Sequence, residues 1–481
     1  MVDANSPHVT PAETRLTILV WASTMGTYLL LAIGGVTTLL DGGTACSAWP
    51  RCAPGVIGNL SDPAVIVAIG HRIAALMVGL LLAVTAILAW RYRKGRVSAI
   101  LSLAVLLYPV QVGVGALAVT RDTAALSDVH LVLGVGIFAL TILALLVHLE
   151  SANTNPAVTS DSATETTSRE PSSAPVDELS DHDQSTKSTG MFSLLRTQVS
   201  AYVELMKPRL MWLLCLVAVA AMTLAAGPDL TMKTALTTVT GGVLAVGASG
   251  TFNNVLERDV DQEMGRTADR PLAQGRIPVS RAVTFGFLLT GLSVGVFVVF
   301  VNVLSALLAL LAIVFYSIVY TLVLKPHTRQ NIVLGGVVGA FPALIGWAAV
   351  ENTVGMPALL LGGVIFLWTP AHFYNLALAY KDDYARAGFP MLPVVRGEET
   401  TRRHILLYLG ATLLSSVVLG ITTRLDWLYA MTIVLVGSVF LWTVLRLFRE
   451  QTEQAAFRTF HASNAYLGCL LLAIFTDALL V

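Results

Sequence analysis

Residues 253–276 read NNVLERDVDQEMGRTADRPLAQGR, with five acidic and four basic side chains, and Arg281 a few residues on, set between almost purely apolar segments. Charge confined to a short connection between two long apolar runs is the pattern of membrane-spanning helices joined by an aqueous loop. On a helix, Asn254, Glu257 and Asp261 are offset by three and four residues and share a face, while Asp259 points roughly the opposite way. A carboxamide and two carboxylates so placed suit Mg²⁺, a hard cation that binds phosphate oxygens together with one or two carboxylates. Arg266 and Arg270 follow closely, and arginines grip phosphates well. Charged loops between membrane helices are ordinarily just solvated, so the order of these residues carries more weight than their number.

The rest of the 481-residue chain agrees with a membrane setting. It is 55% hydrophobic and 12% charged, with no net formal charge and a mean hydropathy of +0.73. This excludes an ordinary soluble protein, and nothing in the charge balance suggests nucleic acid as a partner. Apolar runs long enough to span the bilayer occur at about 16–39, 64–90, 98–119 and 127–149, and then at 210–226, 235–252, 282–301, 304–324, 332–350, 357–378, 405–421, 427–447 and 463–481. The expected fold is therefore an all-α polytopic membrane protein, with a four-helix bundle over residues 1–150 and nine helices over 201–481. Lys and Arg gather in alternate loops, around 91–96, 253–281, 325–330, 379–404 and 446–458. By the positive-inside rule these loops and the N-terminus are cytoplasmic. Residues 151–200 are rich in Ser, Thr, Pro and acid, and read as a disordered linker.

Two loops and three histidines hold the other candidate groups. Cys46 and Cys52 lie in the outer loop CSAWPRC, where a disulfide, two free thiols or a metal site are all open, although the spacing is poor for zinc. His71 and His130 occupy the second and fourth spans, where an ionisable residue is a functional hypothesis by default and a hydrogen-bonded structural histidine the alternative. Histidines on facing helices of a bundle can ligate a heme iron axially. At the inner end of the tenth span the chain reads WTPAHFYNLALAYKDDYARAGFPMLP. There Asp382 and Asp383 are costly unless hydrated, paired or metal-bound. His372 precedes Asp383 by eleven residues, which a continuous helix would bring to nearly the same face. Lys325, at another inner end, is a reasonable phosphate partner and equally a membrane anchor.

NNxxExxxD followed by RTADRPL resembles the first aspartate motif of the UbiA family of membrane prenyltransferases, usually NDxxDxxxD, with Glu257 standing where Asp is usual. KDDYARAGFPMLP resembles the second such motif in the heme O synthase branch, and TPAHFYNLA and YTLVLKPHTRQN are further likenesses to it. The resemblance covers about residues 201–481. It implies that Asn254, Glu257, Asp261 and Asp383 bind Mg²⁺ and diphosphate, that Arg266, Arg270 and Lys325 contact the phosphates, and that His372 lies near heme. It also implies farnesyl transfer from farnesyl diphosphate to a vinyl group of protoheme IX, with water addition giving heme O. A quinone precursor or lipid acceptor is the second enzyme reading. A heme or ion transporter is a third, disfavoured because the acids cluster at one membrane edge. DGGTACSAWPRC, GHRIAALMVG and DVHLVLG resemble one four-helix half of heme A synthase, which implies the Cys46–Cys52 pair and heme ligation by His71 and His130. Ala68 stands where that family commonly carries glutamate and only one half is present, so a heme-holding or vestigial role is expected in place of heme oxidation. A heme A synthase is a further expected partner.

Overall fold

A computed structural model describes residues 11–50, 52, 61–121, 123–153, 191–423 and 425–480. Among these the regular elements are helices, with no strand. The first group is α1 (Pro11–Leu39), the short α2 (Gly42–Ala45), α3 (Pro63–Arg91), α4 (Gly95–Arg121) and α5 (Ala124–Asn153). After the gap come α6 (Met191–Leu205), α7 (Pro208–Ala226), α8 (Met232–Leu256), α9 (Arg258–Glu263), α10 (Val279–Phe300) and α11 (Val303–Val314). A π-helical segment, Phe315–Leu324, carries α11 into α12 (Lys325–His327). Then follow α13 (Asn331–Glu351), α14 (Met356–Ala379), α15 (Lys381–Arg386), α16 (Leu392–Thr423), α17 (Trp427–Glu450) and α18 (Glu453–Leu480). Among the described residues, 13 helices are long and apolar enough to cross a membrane, and they fall on the predicted runs.

Local chemistry starts several of them. Asp62, Thr231 and Asn302 cap α3, α8 and α11 by accepting from Ala64, Thr234 and Ser305 backbone N–H groups at 2.9, 3.1 and 2.8 Å. Pro63 and Pro208 open α3 and α7, where a missing N–H costs nothing. The predicted linker is corrected at its end. Residues 154–190 lie outside the described residues, but 191–200 belong to α6, because Ala201 and Leu205, one turn apart, pack on Leu272 and Ile277 of the first charged loop.

The two groups of helices share a core. Helices α1 and α5 pack on α16 and α17. The Tyr28 hydroxyl donates to the Ile433 carbonyl, and Gly437 admits it, since a Cβ there would collide with that oxygen. Arg449 sits 4.1 Å over the Trp21 ring, tying the end of α17 to α1. Lys94 pairs with Glu13 at 3.1 Å at the same end. Toward the other end, Cys46 and Cys52 form a disulfide, and Arg72 fastens the loop by donating to the Cys46 and Pro50 carbonyls at 2.7 and 3.2 Å.

Candidate active site

The first charged loop leaves α8 at a break. Glu257 (φ −97°, ψ 5°) joins α8 to α9, yet the backbone bonds Glu257 to Asn253 (2.9 Å) and Asp261 to Glu257 (2.8 Å) persist across it. The four-residue register survives, and the expected face forms: Asn253, Asn254, Glu257 and Asp261 are buried. The Asp259 carboxylate is 79% exposed, against 4% for Asp261. On the second loop the expected continuity fails. Helix α14 ends at Ala379 and Asp383 lies on α15 beyond Tyr380 (φ −115°, ψ 30°), so His372 and Asp383 do not share one continuous helix, although the backbone bonds Tyr380 to Leu376 (3.0 Å) and Tyr384 to Tyr380 (3.1 Å) cross the interruption as they do at Glu257.

The two loops nevertheless meet. The Arg266 backbone N–H donates to Asp383 Oδ2 at 3.4 Å and its guanidinium to the Tyr384 hydroxyl at 3.1 Å. The same guanidinium lies over the rings of Tyr380 and Tyr384, at 4.9 and 5.5 Å. Residues 117 apart in sequence thus form one surface.

Each of the three loop carboxylates has a cation of its own. Lys325 Nζ is 2.6 Å from Glu257 Oε1, with 12% and 8% of the two side chains exposed. Arg270 Nη1 is 2.7 Å from Asp261 Oδ2, and Arg386 pairs with Asp383. Like charges cannot crowd together without compensation, and the basic side chains divide the acids among themselves. Among the described residues no three His, Cys, Asp or Glu side chains converge on a point that could hold a metal ion. The donor chemistry still fits a hard cation. Asn254 Nδ2 donates to the Leu205 carbonyl at 3.1 Å, while its Oδ1 is buried with no partner, an orphan acceptor on the face that carries Glu257 and Asp261.

Lys207 was not among the predicted residues. A basic residue just before a span reads as an anchor, and only packing shows that it points inward. It donates to Asn253 Oδ1, lies 6.0 Å from the Tyr316 ring, and lines a cavity. Burial, with Arg270 repelling, brings its ammonium from 10.5 down to about 7 against the pull of Glu257. For Glu257, burial alone would raise the carboxyl, but Lys325 and then Lys207 outweigh it and hold it below its ordinary 4.5.

The cavity is otherwise apolar, walled by α7 (Leu210 to Ala218), α8 (Thr238 to Gly250), α13 and Tyr316. Twelve residues of α8 correspond to about 18 Å of depth. Gly346 lets α13 approach α7 at the deep end, where a Cβ would run into the Ala218 carbonyl.

His372 is enclosed: Trp368 and Phe460 stack on its two sides at 4.3 and 4.2 Å, and its Nδ1 lies 2.6 Å from Ser463 Oγ. Only Nε2 is left for a ligand. In the first group of helices, His130 Nδ1 faces the Gln111 carbonyl (3.0 Å) and Nε2 the Gln111 amide (3.3 Å), while His71 Nδ1 is buried without a partner. Ala68 is buried beside the disulfide.

A profile of the UbiA prenyltransferase family matches residues 213–469. The chain is 54% identical over 470 residues to the protoheme IX farnesyltransferase of Haloarcula marismortui, covering 97% of this chain and 99% of that one. It is 43% identical over 286 residues to protoheme IX farnesyltransferase 1 of Saccharopolyspora erythraea, covering 59% of this chain and 91% of that one. Among solved structures, a digeranylgeranylglyceryl phosphate synthase superposes with a TM-score of 0.51 at 16% identity, covering 59% of this chain and all of that one, a likeness of fold.

Proposed function

The chain belongs to the UbiA prenyltransferase family, and from that premise we propose that it transfers a farnesyl group from farnesyl diphosphate to a vinyl group of protoheme IX, giving heme O. Relatives named for this activity match nearly its whole length. The single observation that carries the reading at the level of the site is the joined pair of acidic loops over an apolar cavity with Lys207 at its rim. One end of such a site suits a diphosphate and the other an isoprenyl chain.

Lys207, Lys325, Arg266 and Arg270 hold the diphosphate, exchanging part of their pairing with carboxylates for phosphate oxygens. Asn254, Glu257, Asp261 and Asp383 are the residues that would hold Mg²⁺, whose charge, when bound, stabilises the leaving diphosphate. The farnesyl C1–O bond breaks with its electron pair going to the diphosphate. The vinyl π electrons then form the new C–C bond, and water adds to the resulting heme-side cation with loss of a proton to solvent. The apolar walls keep water away from the allylic cation, and Tyr316 presents its ring near the diphosphate end. His372 borders heme through Nε2 in this reading.

The acidic loops and the N-terminus face the cytoplasm of a cell membrane. Thiol reagents applied from one side should label Gln274→Cys and Arg396→Cys alike, and labelling from opposite sides would reject this orientation. Residues 1–150 form a unit added to the prenyltransferase helices and packed on α16 and α17, a division supported by the Saccharopolyspora relative, which 59% of this chain nearly spans. In this unit His71 and His130 hold a heme without oxidising it; the bare His71 Nδ1 favours that role. A separate heme A synthase then consumes the heme O. The whole assignment is tested by incubating purified protein with protoheme, farnesyl diphosphate and Mg²⁺ and measuring mass. Heme O is expected, and its absence from folded protein would reject the reading.

A further inference from the structure

The π-helical segment between α11 and α12 does something that an ordinary helix would not. Elsewhere in the bundle, helical threonine hydroxyls bond the carbonyl three or four residues back, as Thr141 does with Phe138, Thr251 with Gly247 and Thr412 with Tyr408. Thr321 bonds the carbonyl five residues back, donating to Tyr316 at 2.8 Å. That bond uses its only proton. What the hydroxyl offers on its other side is a lone pair, and Asn253 Nδ2 donates to it at 3.0 Å. Both residues are buried, Thr321 5% and Asn253 2% exposed.

A carboxamide has one donating and one accepting end. With its NH₂ held by Thr321, Asn253 must turn Oδ1 away, and Lys207 donates to that oxygen. The flipped amide would set NH₂ against the ammonium and oxygen against a lone pair. The π turn thus fixes the orientation of one buried amide, and the amide fixes one lysine.

We infer that Thr321 is a positioning residue for the diphosphate end of the site, acting through the Asn253 carboxamide to hold Lys207 at the cavity rim. The inference rests on the reading of Lys207 as a diphosphate contact. Lys207 is surrounded by Arg270 and Lys325, which repel it, and by Glu257 and Asp261, which attract it. An oriented acceptor at Asn253 Oδ1 favours its protonated form.

The test is steady-state kinetics with farnesyl diphosphate at saturating protoheme and Mg²⁺. Thr321→Val, which removes the hydroxyl, should raise KM for farnesyl diphosphate about tenfold, the scale of one hydrogen bond to a charged group. The effect on kcat should be smaller. Thr321→Ser keeps the hydroxyl and should behave as wild type. In a Lys207→Met background, Thr321→Val should add nothing to KM. Unchanged kinetics in Thr321→Val, an equal defect in Thr321→Ser, or a full additional defect in the Lys207→Met background would each overturn the inference. Wild-type KM in Lys207→Met alone would instead remove the reading on which it rests. If Thr321→Val fails to fold, Thr321→Ala judged against Thr321→Ser makes the same comparison without the added methyl.

Discussion

The charged edge of the helices after residue 190 and the interior of those before residue 154 handle buried polar groups in opposite ways. At the edge, Glu257, Asp261 and Asp383 each have a cation. In the interior, the Nδ1 atoms of His71 and His148 are buried with no partner, although His148 Nε2 reaches Thr17 Oγ1 at 2.8 Å. The difference follows from charge. Removing an ion from water costs several kcal/mol unless a counter-ion is near, whereas a neutral ring nitrogen costs far less. A site of paired charges is suited to an anion that exchanges partners with it. The bare His71 nitrogen suits a ligand that brings its own metal, whereas both ring nitrogens of His130 face Gln111.

The comparison breaks most visibly at the carboxylates. Asp261→Ala and Asp383→Ala should each lower prenyl transfer by more than about a hundredfold, the cost of losing a group aimed at developing charge, while membrane insertion persists. Near-normal heme O formation in both would make the paired charges merely structural. On the other side, His71→Ala and His130→Ala in the full chain should abolish the heme absorbance of the first unit with prenyl transfer unchanged within about twofold. If the wild-type protein, purified after expression with heme supplied, shows no such absorbance, the histidines are structural after all; conversion of heme O to heme A would contradict the argument from Ala68.

Smaller effects sharpen the picture at Glu257. Glu257→Asp should keep activity within a few fold, since the charge remains and Lys325 needs only a slight adjustment. Glu257→Gln bears on acid stability. The native carboxyl lies below its ordinary 4.5 because Lys325 and Lys207 outweigh burial. Its contribution is therefore present above the unfolded value of about 4.5 and is lost as pH falls through the lower native value. Melting temperature should drop less steeply below pH 4.5 in Glu257→Gln than in wild type, and parallel profiles would discount the Lys325 pair as a source of stability.

Much of this was legible in residue order. Apolar run length and the alternation of Lys and Arg set the spans because hydrocarbon thickness and the unsatisfied backbone are constraints any sequence must meet locally. The buried face of Asn254, Glu257 and Asp261 followed from helical periodicity, which the break at Glu257 left nearly intact. The interruption between His372 and Asp383 was not legible, because Tyr380 ends α14 in a stretch with neither Gly nor Pro to signal it.

By itself, then, the sequence determined the membrane class, the bilayer-crossing runs, the two acidic loops and the family they resemble, all of which depend on residues near one another in the chain. Only the tertiary structure decided that Arg266 meets Asp383, that Lys207 turns inward to Asn253, and that Thr321 faces that amide across a π turn. Those pairings join residues 46 to 117 positions apart. Of the cations that compensate the acids, Arg386 and Arg270 lie within nine residues of Asp383 and Asp261, whereas Lys325 reaches Glu257 only through the packing of separate helices, which no local pattern in the chain encodes.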